Sequence, residues 1–288
     1  MTNVAWIGVG AMGRPMVTCL AGQQHRIRAF DANPARCDGL GDIGIEVAST
    51  VRDAAMGADV LVLMTATPEQ CESVLFGTHD GAGSHEDNSA ASALAPGATV
   101  IVMATVGPAA VERWAQRLGL IGVATLDAPV SGGTSRAARG EVLVMVGAPA
   151  ADLAEVRWVL EALCAEVAAA GDEVGVGQRM TLVNQLRCGV HIAVAAEALG
   201  FAEALGLEAG AALDIVRRGA AASFMLEDRG PRMANSAFDE VHSALDIFVK
   251  DMGLCRECRR SGGLFRSDRR GREGALPHGT ARRVGQAR

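Results

Sequence analysis

The chain of 288 residues contains no tyrosine, a single lysine among its 27 basic residues, and only 3% aromatic residues. The absence of tyrosine excludes every enzyme mechanism in which a tyrosine hydroxyl transfers a proton. The chain also lacks an apolar run of the roughly 18 residues that a membrane-spanning helix needs. The first residues, Met1-Thr2-Asn3, lead straight into an apolar stretch without a signal or transit sequence. We therefore expect a cytoplasmic protein with no membrane partner.

Regular cysteine spacing is absent as well. The seven cysteines fit reduced thiols better than a disulfide framework; they are Cys19, Cys37, Cys71, Cys164, Cys188, Cys255 and Cys258. The last two have C-x-x-C spacing, which is weak evidence for a metal or redox site without a second such pair. What the chain does have is 49% hydrophobic residues, over a length that is sufficient for two domains.

Charge is unevenly distributed along the chain. The overall charge is −6, yet residues 256–288 hold ten Arg against three acidic residues, a local charge of +7 that leaves −13 on the first 255 residues. A basic tail can bind nucleic acid, but this one has no aromatic residue except Phe265 and neither a helical nor a strand period. We therefore expect residues 257–288 to be a structureless tail and the protein to have no nucleic-acid partner.

Strands and helices alternate in the first part of the sequence. Apolar runs predict strands at residues 4–7, 26–30, 60–64, 100–103, 125–128 and 142–146, with intervening helices such as 109–118. After about Gly177 only helical spacing remains, at residues 178–205, 211–217 and 241–254. This pattern predicts an α/β Rossmann-type nucleotide-binding domain at residues 1–173, followed by an all-α domain at residues 174–256.

A glycine-rich turn follows the first predicted strand and reads Gly8-Val9-Gly10-Ala11-Met12-Gly13. This G-x-G-x-x-G pattern is typical of a dinucleotide site, because its glycines permit a tight turn, a close approach of the pyrophosphate and close packing of the next helix. The free N–H groups and the positive dipole end of that helix favour phosphate. The alternative is an ordinary structural turn that binds no phosphate.

Asp31 lies at the end of the second predicted strand, 18 residues beyond Gly13. A carboxylate at this place accepts hydrogen bonds from the adenosine ribose and repels a 2′-phosphate. The sequence therefore predicts NAD as the cofactor, with NADP disfavoured.

A polar insertion lies between Gly77 and Gly97. It contains possible metal ligands, namely His79, Asp80, His85, Glu86 and Asp87. Their spacing matches no metal motif, so we interpret the segment as a solvated loop and expect no metal site.

A second motif, Asp127-Ala128-Pro129-Val130-Ser131-Gly132-Gly133, follows a predicted strand and exposes backbone N–H groups at the start of a helix, which suits a carboxylate. With the glycine-rich turn and Pro15-Met16, it makes the chain resemble the β-hydroxyacid dehydrogenase family from residue 1 to about 255. The resemblance implies that Ser131, Gly132 and Gly133 hold a small carboxylate substrate. It also implies that Thr65 and Thr105 contact the cofactor, and it allows a homo-oligomer through the helical domain.

The family's catalytic segment has the form G-x-G-x-x-x-K-x-x-N, and here it runs from Gly175 to Asn184 with Thr181 in the lysine position. The resemblance implies proton transfer by that lysine, which a threonine hydroxyl cannot readily perform near neutral pH. Asn184, three residues along the helix, remains placed to orient a substrate. The sequence thus predicts an oxidoreductase for a small 3-hydroxy acid or its semialdehyde, impaired by Thr181.

The only lysine, Lys250, begins Lys250-Asp251-Met252-Gly253-Leu254, which resembles the family's second lysine motif. The resemblance implies that Lys250 approaches the cofactor and substrate from the helical domain. Beyond residue 257 the family's apolar helical period is missing, which predicts a shortened helical domain. Two other functions stay open: an imine-reductase-like enzyme, in which another residue replaces the lysine, and a catalytically silent nucleotide-binding protein.

Overall fold

A computed structural model describes residues 1–21, 25–77, 88–238 and 245–262. The strands are β1 (Asn3–Ile7), β2 (Arg26–Phe30), β3 (Glu46–Val47), β4 (Val60–Leu63), β5 (Thr99–Val102), β6 (Ala124–Asp127), β7 (Val130–Ser131), β8 (Val142–Gly147) and β9 (Cys164–Gly171). The helices are α1 (Gly13–Leu20), α2 (Val51–Ala55), α3 (Pro68–Phe76), α4 (Pro108–Gly119), α5 (Gly133–Ala137), α6 (Ala150–Leu163), α7 (Val176–Ala204), α8 (Ala209–Val216), α9 (Phe224–Ala234) and α10 (Leu245–Ser261).

The strands form one sheet in the order β3-β2-β1-β4-β5-β6-β8-β7, with β9 also paired to β8. All pairs are parallel except those of β8 with β6 and with β7. The chain order reverses between β1 and β4, and the crevice beyond the carboxyl ends of such strands is where open α/β sheets bind ligands. With the helices from α7 onward, this confirms the predicted Rossmann-type sheet followed by an all-α region.

All six predicted strands are present to within one or two residues at their ends. Their apolar runs are easy to recognise because a parallel sheet covered on both faces buries every residue of a strand. Strand β9 was not predicted: it reads Cys-Ala-Glu-Val-Ala-Ala-Ala-Gly, and alanine by itself favours helix. Pairing with β8 along most of its length decides its conformation.

Helix α9 was not predicted either, because Gly230 and Pro231 lie inside it and both residues disfavour helix interiors. The helix is started by Ser223, whose hydroxyl accepts from the N–H of Leu226. A Cβ at Gly230 would lie 2.6 Å from a methyl carbon of Leu213, so the glycine lets α9 pack against α8.

Two apolar clusters cover the two faces of the sheet. One contains Trp6 and Met16, and the other contains Leu63 and Trp114; all four side chains are buried. The indole Nε1 of Trp6 donates to the carbonyl of Gly8 at 3.0 Å. The core of the first domain therefore reaches directly beneath the glycine-rich turn and supports it.

The long helix α7 is fixed to the sheet by two buried polar side chains. The Asp127 carboxylate, at the end of β6, accepts from the N–H groups of Gly175 (2.8 Å) and Gln178 (2.5 Å) at the start of α7. The Gln178 amide in turn accepts from the N–H groups of Val106 and Gly107, just beyond β5. These bonds satisfy donors that a helix start and a loop would otherwise leave unpaired.

Helix α10 packs on α7. The Cys255 thiol donates to the carbonyl of Leu182 at 3.3 Å, and Met252 lies against Gly189. Because the helix continues to Ser261, the expectation that regular structure ends before residue 257 is wrong for residues 257–261. The rest of the predicted tail, from residue 263, lies outside the described residues, as do residues 241–244 of the predicted last helix. In the described part of the chain, no helix is both long and apolar enough to span a membrane.

We predict that the stabilising effect of Asp127 depends on pH. Burial raises the pKa of this carboxyl group from 3.8 to about 6, although the two N–H donors lower it. The folded chain therefore binds the proton more tightly than the unfolded chain, so the stability due to this group is highest below the unfolded pKa and is lost as the pH rises through about 6.

The measurement is urea unfolding of the native chain and of Asp127→Asn. The native chain should exceed the variant in unfolding free energy by about 1 kcal/mol more near pH 5 than near pH 7.5. The variant supplies the control, since all other groups titrate in both chains. A difference between the two chains that stays constant or grows with pH would contradict the prediction.

Candidate active site

The glycine-rich turn between β1 and α1 forms a cradle that side chains would fill. A Cβ at Gly8, whose φ is +100°, would collide with the carbonyl of Met64, and one at Gly13 would collide with the carbonyl of Gly8. At Gly10, in contrast, nothing lies within 4 Å of such an atom. The turn is thus tightly packed at Gly8 and Gly13 and open at Gly10. This open space fits the close approach of a pyrophosphate.

A cavity of about 240 Å³ lies in front of this turn. It is lined by Val9, Gly10, Ala11, Arg14, Pro15 and Arg36. Two of these side chains are cationic and none is anionic, which favours a phosphate-bearing ligand.

Asp31 lies beside this cavity and is 8% exposed. Its Oδ2 accepts from the Val9 N–H at 2.8 Å, and its Oδ1 accepts from the Asn33 N–H at 2.9 Å. The guanidinium of Arg36 is 3.5 Å from Oδ1. The carboxylate therefore links the end of β2 to the glycine-rich turn, while Arg36 offsets part of its charge.

The Ser131-Gly132-Gly133 motif, which the sequence predicts to bind a carboxylate, meets α7. Ser131 is in β7, and its hydroxyl accepts from the Asn184 amide Nδ2 at 3.2 Å. Gly133, at the start of α5, has a φ of +73°, and a Cβ there would face open space. The structure thus brings Ser131 and Asn184 together across 53 residues of sequence.

Lys250 reaches the same region from α10. Its ammonium Nζ donates to the carbonyl of Thr105, just beyond β5, at 2.6 Å. Thr65, just beyond β4, has its hydroxyl 2.9 Å from the Cys71 thiol. Burial raises the pKa of that thiol to about 11, so Cys71 stays protonated near neutral pH and is not a nucleophile.

Thr181 is fully buried on α7, and its Oγ1 has no hydrogen-bond partner among the residues that the structure describes. It lies one turn before Asn184 and Gln185, on their side of the helix. An unpaired buried hydroxyl costs free energy.

Other predicted features take no part in this geometry. The possible ligands of the polar insertion lie in residues 78–87, outside the described residues. Elsewhere in the described part of the chain, no group of three or more His, Cys, Asp or Glu residues could hold a metal. Burial raises the thiol pKa of both Cys255 and Cys258, which disfavours the thiolate that metal binding or redox exchange needs.

The larger described cavity, about 420 Å³, lies elsewhere, between α7, α8 and α9. Apolar side chains such as Leu199, Phe201, Leu213 and Leu226 line most of it. Among its lining residues only His191 and Ser223 are polar, so it suits an apolar ligand better than a carboxylate or a phosphate, and it shares no residue with the cavity at the glycine-rich turn.

Gln185 was missed in the sequence, and Asp251 was recognised only as part of the lysine motif, without a role of its own. The Gln185 amide Nε2 donates to Asp251 Oδ2 at 2.6 Å, and Asp251 is 1% exposed. One signal was available: Gln178, Thr181 and Gln185 follow helical spacing and place polar groups on one face of α7. That face is partly or fully buried against the sheet and α10.

Two known families match this chain. Residues 3–171 match the NAD binding domain of 6-phosphogluconate dehydrogenase, and residues 175–266 match the family described as NAD-binding of NADP-dependent 3-hydroxyisobutyrate dehydrogenase. The chain belongs to the β-hydroxyacid dehydrogenase family. The match extends to residue 266, beyond residue 255, where the recognisable motifs end. Residues 3–171 thus contain the NAD-binding part of the chain.

Individual relatives cover most of the chain. It is 35% identical to L-threonate dehydrogenase from Cupriavidus necator over 90% of this chain and 84% of that protein. It is 33% identical to NAD-dependent L-serine dehydrogenase from Pseudomonas aeruginosa over 91% of this chain and 86% of that protein. The solved structure of 3-hydroxyisobutyrate dehydrogenase from Salmonella typhimurium superposes with a TM-score of 0.80 at 32% identity, over 91% of this chain and 88% of that one.

We predict that this chain binds NADH more tightly than NADPH. Asp31 would face a 2′-phosphate as a like charge, and such repulsion costs roughly 1 kcal/mol or more, about a tenfold difference in affinity. The nearby Arg36 limits the difference. The Asp31→Ser variant should show a smaller difference between the dissociation constants for NADH and NADPH. Calorimetric titration with both cofactors measures these constants.

The matched control is Asp42→Ser, which removes one exposed carboxylate from the same part of the chain. It should leave the ratio of the two dissociation constants unchanged. Equal dissociation constants for NADH and NADPH in the native chain would refute the role of Asp31.

Proposed function

We propose that this chain is an NAD-dependent oxidoreductase acting on a small 3-hydroxy acid or its semialdehyde. The observation that carries the proposal is the hydrogen bond between Asn184 and Ser131, which joins the carboxylate-binding motif to the helix of the family's catalytic segment. Bound NAD supplies a nicotinamide ring that accepts or returns a hydride. The residues around it hold the substrate and handle the proton.

The substrate carboxylate is assigned to Ser131, Gly132 and Gly133. A hydroxyl and glycine N–H groups, unobstructed by a Cβ at Gly133, suit a small anion. The Asn184 amide donates to the Ser131 hydroxyl and thereby orients that hydroxyl toward the carboxylate. We therefore expect the reacting carbon to lie near α7 and the carboxyl ends of the parallel strands.

Proton transfer is the weak part of this site. Oxidation of an alcohol removes the hydroxyl proton together with a hydride, and reduction returns both. Thr181 can donate a hydrogen bond to the substrate oxygen but cannot exchange a proton readily near neutral pH. General acid–base catalysis contributes about 10²–10⁴-fold, so a chain with Thr181 turns over slowly. We assign the residual proton transfer to Lys250, whose ammonium lies at the end of β5.

An imine-reductase-like activity fits the site less well, because the intact Ser131-Gly132-Gly133 motif with Asn184 favours a carboxylate-bearing substrate. A catalytically silent nucleotide-binding protein would keep the glycine-rich cradle and would have no use for the Ser131–Asn184 pair. Turnover measurements separate these three functions.

We predict that Thr181→Lys raises kcat by about 10²-fold and leaves KM almost unchanged. The reason is that a proton-transfer group acts mainly in the transition state, whereas the carboxylate contacts already exist in the ground state. Steady-state kinetics with NAD and with L-threonate, L-serine and 3-hydroxyisobutyrate measure the effect. In the native chain, Lys250→Met should abolish the residual turnover.

Val183→Lys is the matched control. It adds a lysine to the same turn of α7 at a side chain that is 59% exposed, and it should leave kcat unchanged. If Thr181→Lys gains nothing with any of these substrates while NAD still binds, the proposed substrate class is refuted. Imine reduction by the native chain would favour the alternative enzyme.

A further inference from the structure

A series of hydrogen bonds between side chains begins at Ser131 of the carboxylate-binding motif. The Asn184 amide Nδ2 donates to the Ser131 hydroxyl at 3.2 Å and also to the Gln185 side-chain oxygen at 3.1 Å. These two donations use both hydrogens of that amide group. The Gln185 oxygen is thereby fixed as the acceptor, so its Nε2 is directed toward α10.

The series continues to Asp251, a buried carboxylate that forms an ion pair with the only lysine. Gln185 Nε2 donates to Asp251 Oδ2 at 2.6 Å, and Asp251 Oδ1 lies 3.1 Å from the Lys250 ammonium. That ammonium donates onward to the Thr105 carbonyl at 2.6 Å. Side chains from β7, α7 and α10 thus connect the carboxylate-binding motif to the end of β5.

Asp251 and Lys250 differ in how deeply their side chains are buried. The side chain of Asp251 is 1% exposed, whereas that of Lys250 is 21% exposed, so the lysine keeps some exposure while its counter-charge does not. A buried carboxylate is costly unless it is paired and hydrogen-bonded. Oδ2 of Asp251 is hydrogen-bonded by Gln185, and Oδ1 is ion-paired with Lys250.

The lysine needs such support because its side chain is flexible. A free lysine samples many rotamers, and an exposed pair with a carboxylate would hold it only weakly. Here a fixed carboxylate on one side and a backbone carbonyl on the other determine where the ammonium lies.

We propose that Asp251, held by Gln185, is a positioning residue that fixes the Lys250 ammonium beside Thr105, where the reacting end of the bound cofactor and substrate meet. The assignment of a reaction to Lys250 rests on the proposed function, whereas the fixation of its ammonium does not. Asp251 and Gln185 act only through Lys250.

The direct test uses the fact that the chain has one lysine. Protein labelled with ¹⁵N at lysine Nζ gives one ammonium resonance, whose proton exchange with water is measured by NMR. Native protein should show slow exchange because the ammonium donates to Thr105 and contacts Asp251. In Asp251→Asn the exchange should be faster by about tenfold, since the ammonium loses its ion pair with a buried carboxylate.

Two further variants make the result decisive. Gln185→Leu keeps the charges of Lys250 and Asp251 and should also accelerate the proton exchange of the ammonium, by a smaller factor than Asp251→Asn. If Asp251→Asn does not fold, this variant alone tests the proposal. Asp246→Asn makes the same substitution at an exposed residue in the first turn of α10 and should leave the exchange unchanged. Unchanged exchange in a folded Asp251→Asn or in Gln185→Leu overturns the proposal.

Kinetics test the consequence for the reaction. Asp251→Asn should lower kcat of the native chain by about tenfold, with KM and the dissociation constant of NAD unchanged, because the ground-state contacts remain. Faster lysine exchange in a chain without turnover would support the positioning role and refute the proposed function. Equal loss of kcat and of NAD affinity would indicate a merely structural role and overturn the proposal.

Discussion

The active-site geometry depends on one buried carboxylate, Asp127, at the end of β6. It accepts two N–H groups at the start of α7, where the helix dipole favours negative charge. That contact sets where the 29-residue helix leaves the sheet. Because Thr181, Asn184 and Gln185 lie in the first three turns, their positions relative to the strand ends follow from it. The desolvation of Asp127 is the free-energy cost of this placement.

The fold was largely predictable because its signals are local. Contiguous apolar runs indicated the parallel strands, and the glycine-rich turn marked the strand before it as the first strand of a Rossmann-type fold. The errors occurred where tertiary contacts override local preference. Alanine-rich β9 is held by its pairing with β8, and α9 continues through Gly230 because α8 packs closely against it. Neither partner can be recognised from the segment itself.

The site was predictable in its parts but not in its connections. Motifs indicated Ser131, Asn184 and Lys250 one by one, and the structure joins the first two directly. Gln185 carries no motif, and Asp251 was recognised only as the neighbour of Lys250; the packing of α10 on α7 makes them partners. Which polar side chain pairs with which, across 66 residues, is decided by tertiary structure. Domain boundaries and the catalytic roles of these residues remain predictions.

The position of Trp6 has an optical consequence. Without tyrosine, the near-ultraviolet emission of this chain comes from its three tryptophans. Trp114 is hydrogen-bonded to Glu72, and Trp158 stacks on His25 with ring centroids 3.9 Å apart. Trp6 alone of the three donates to the glycine-rich turn, at Gly8. A ligand that shifts this turn alters the polarity around a single identified indole, so the protein carries its own fluorophore beneath the nucleotide site.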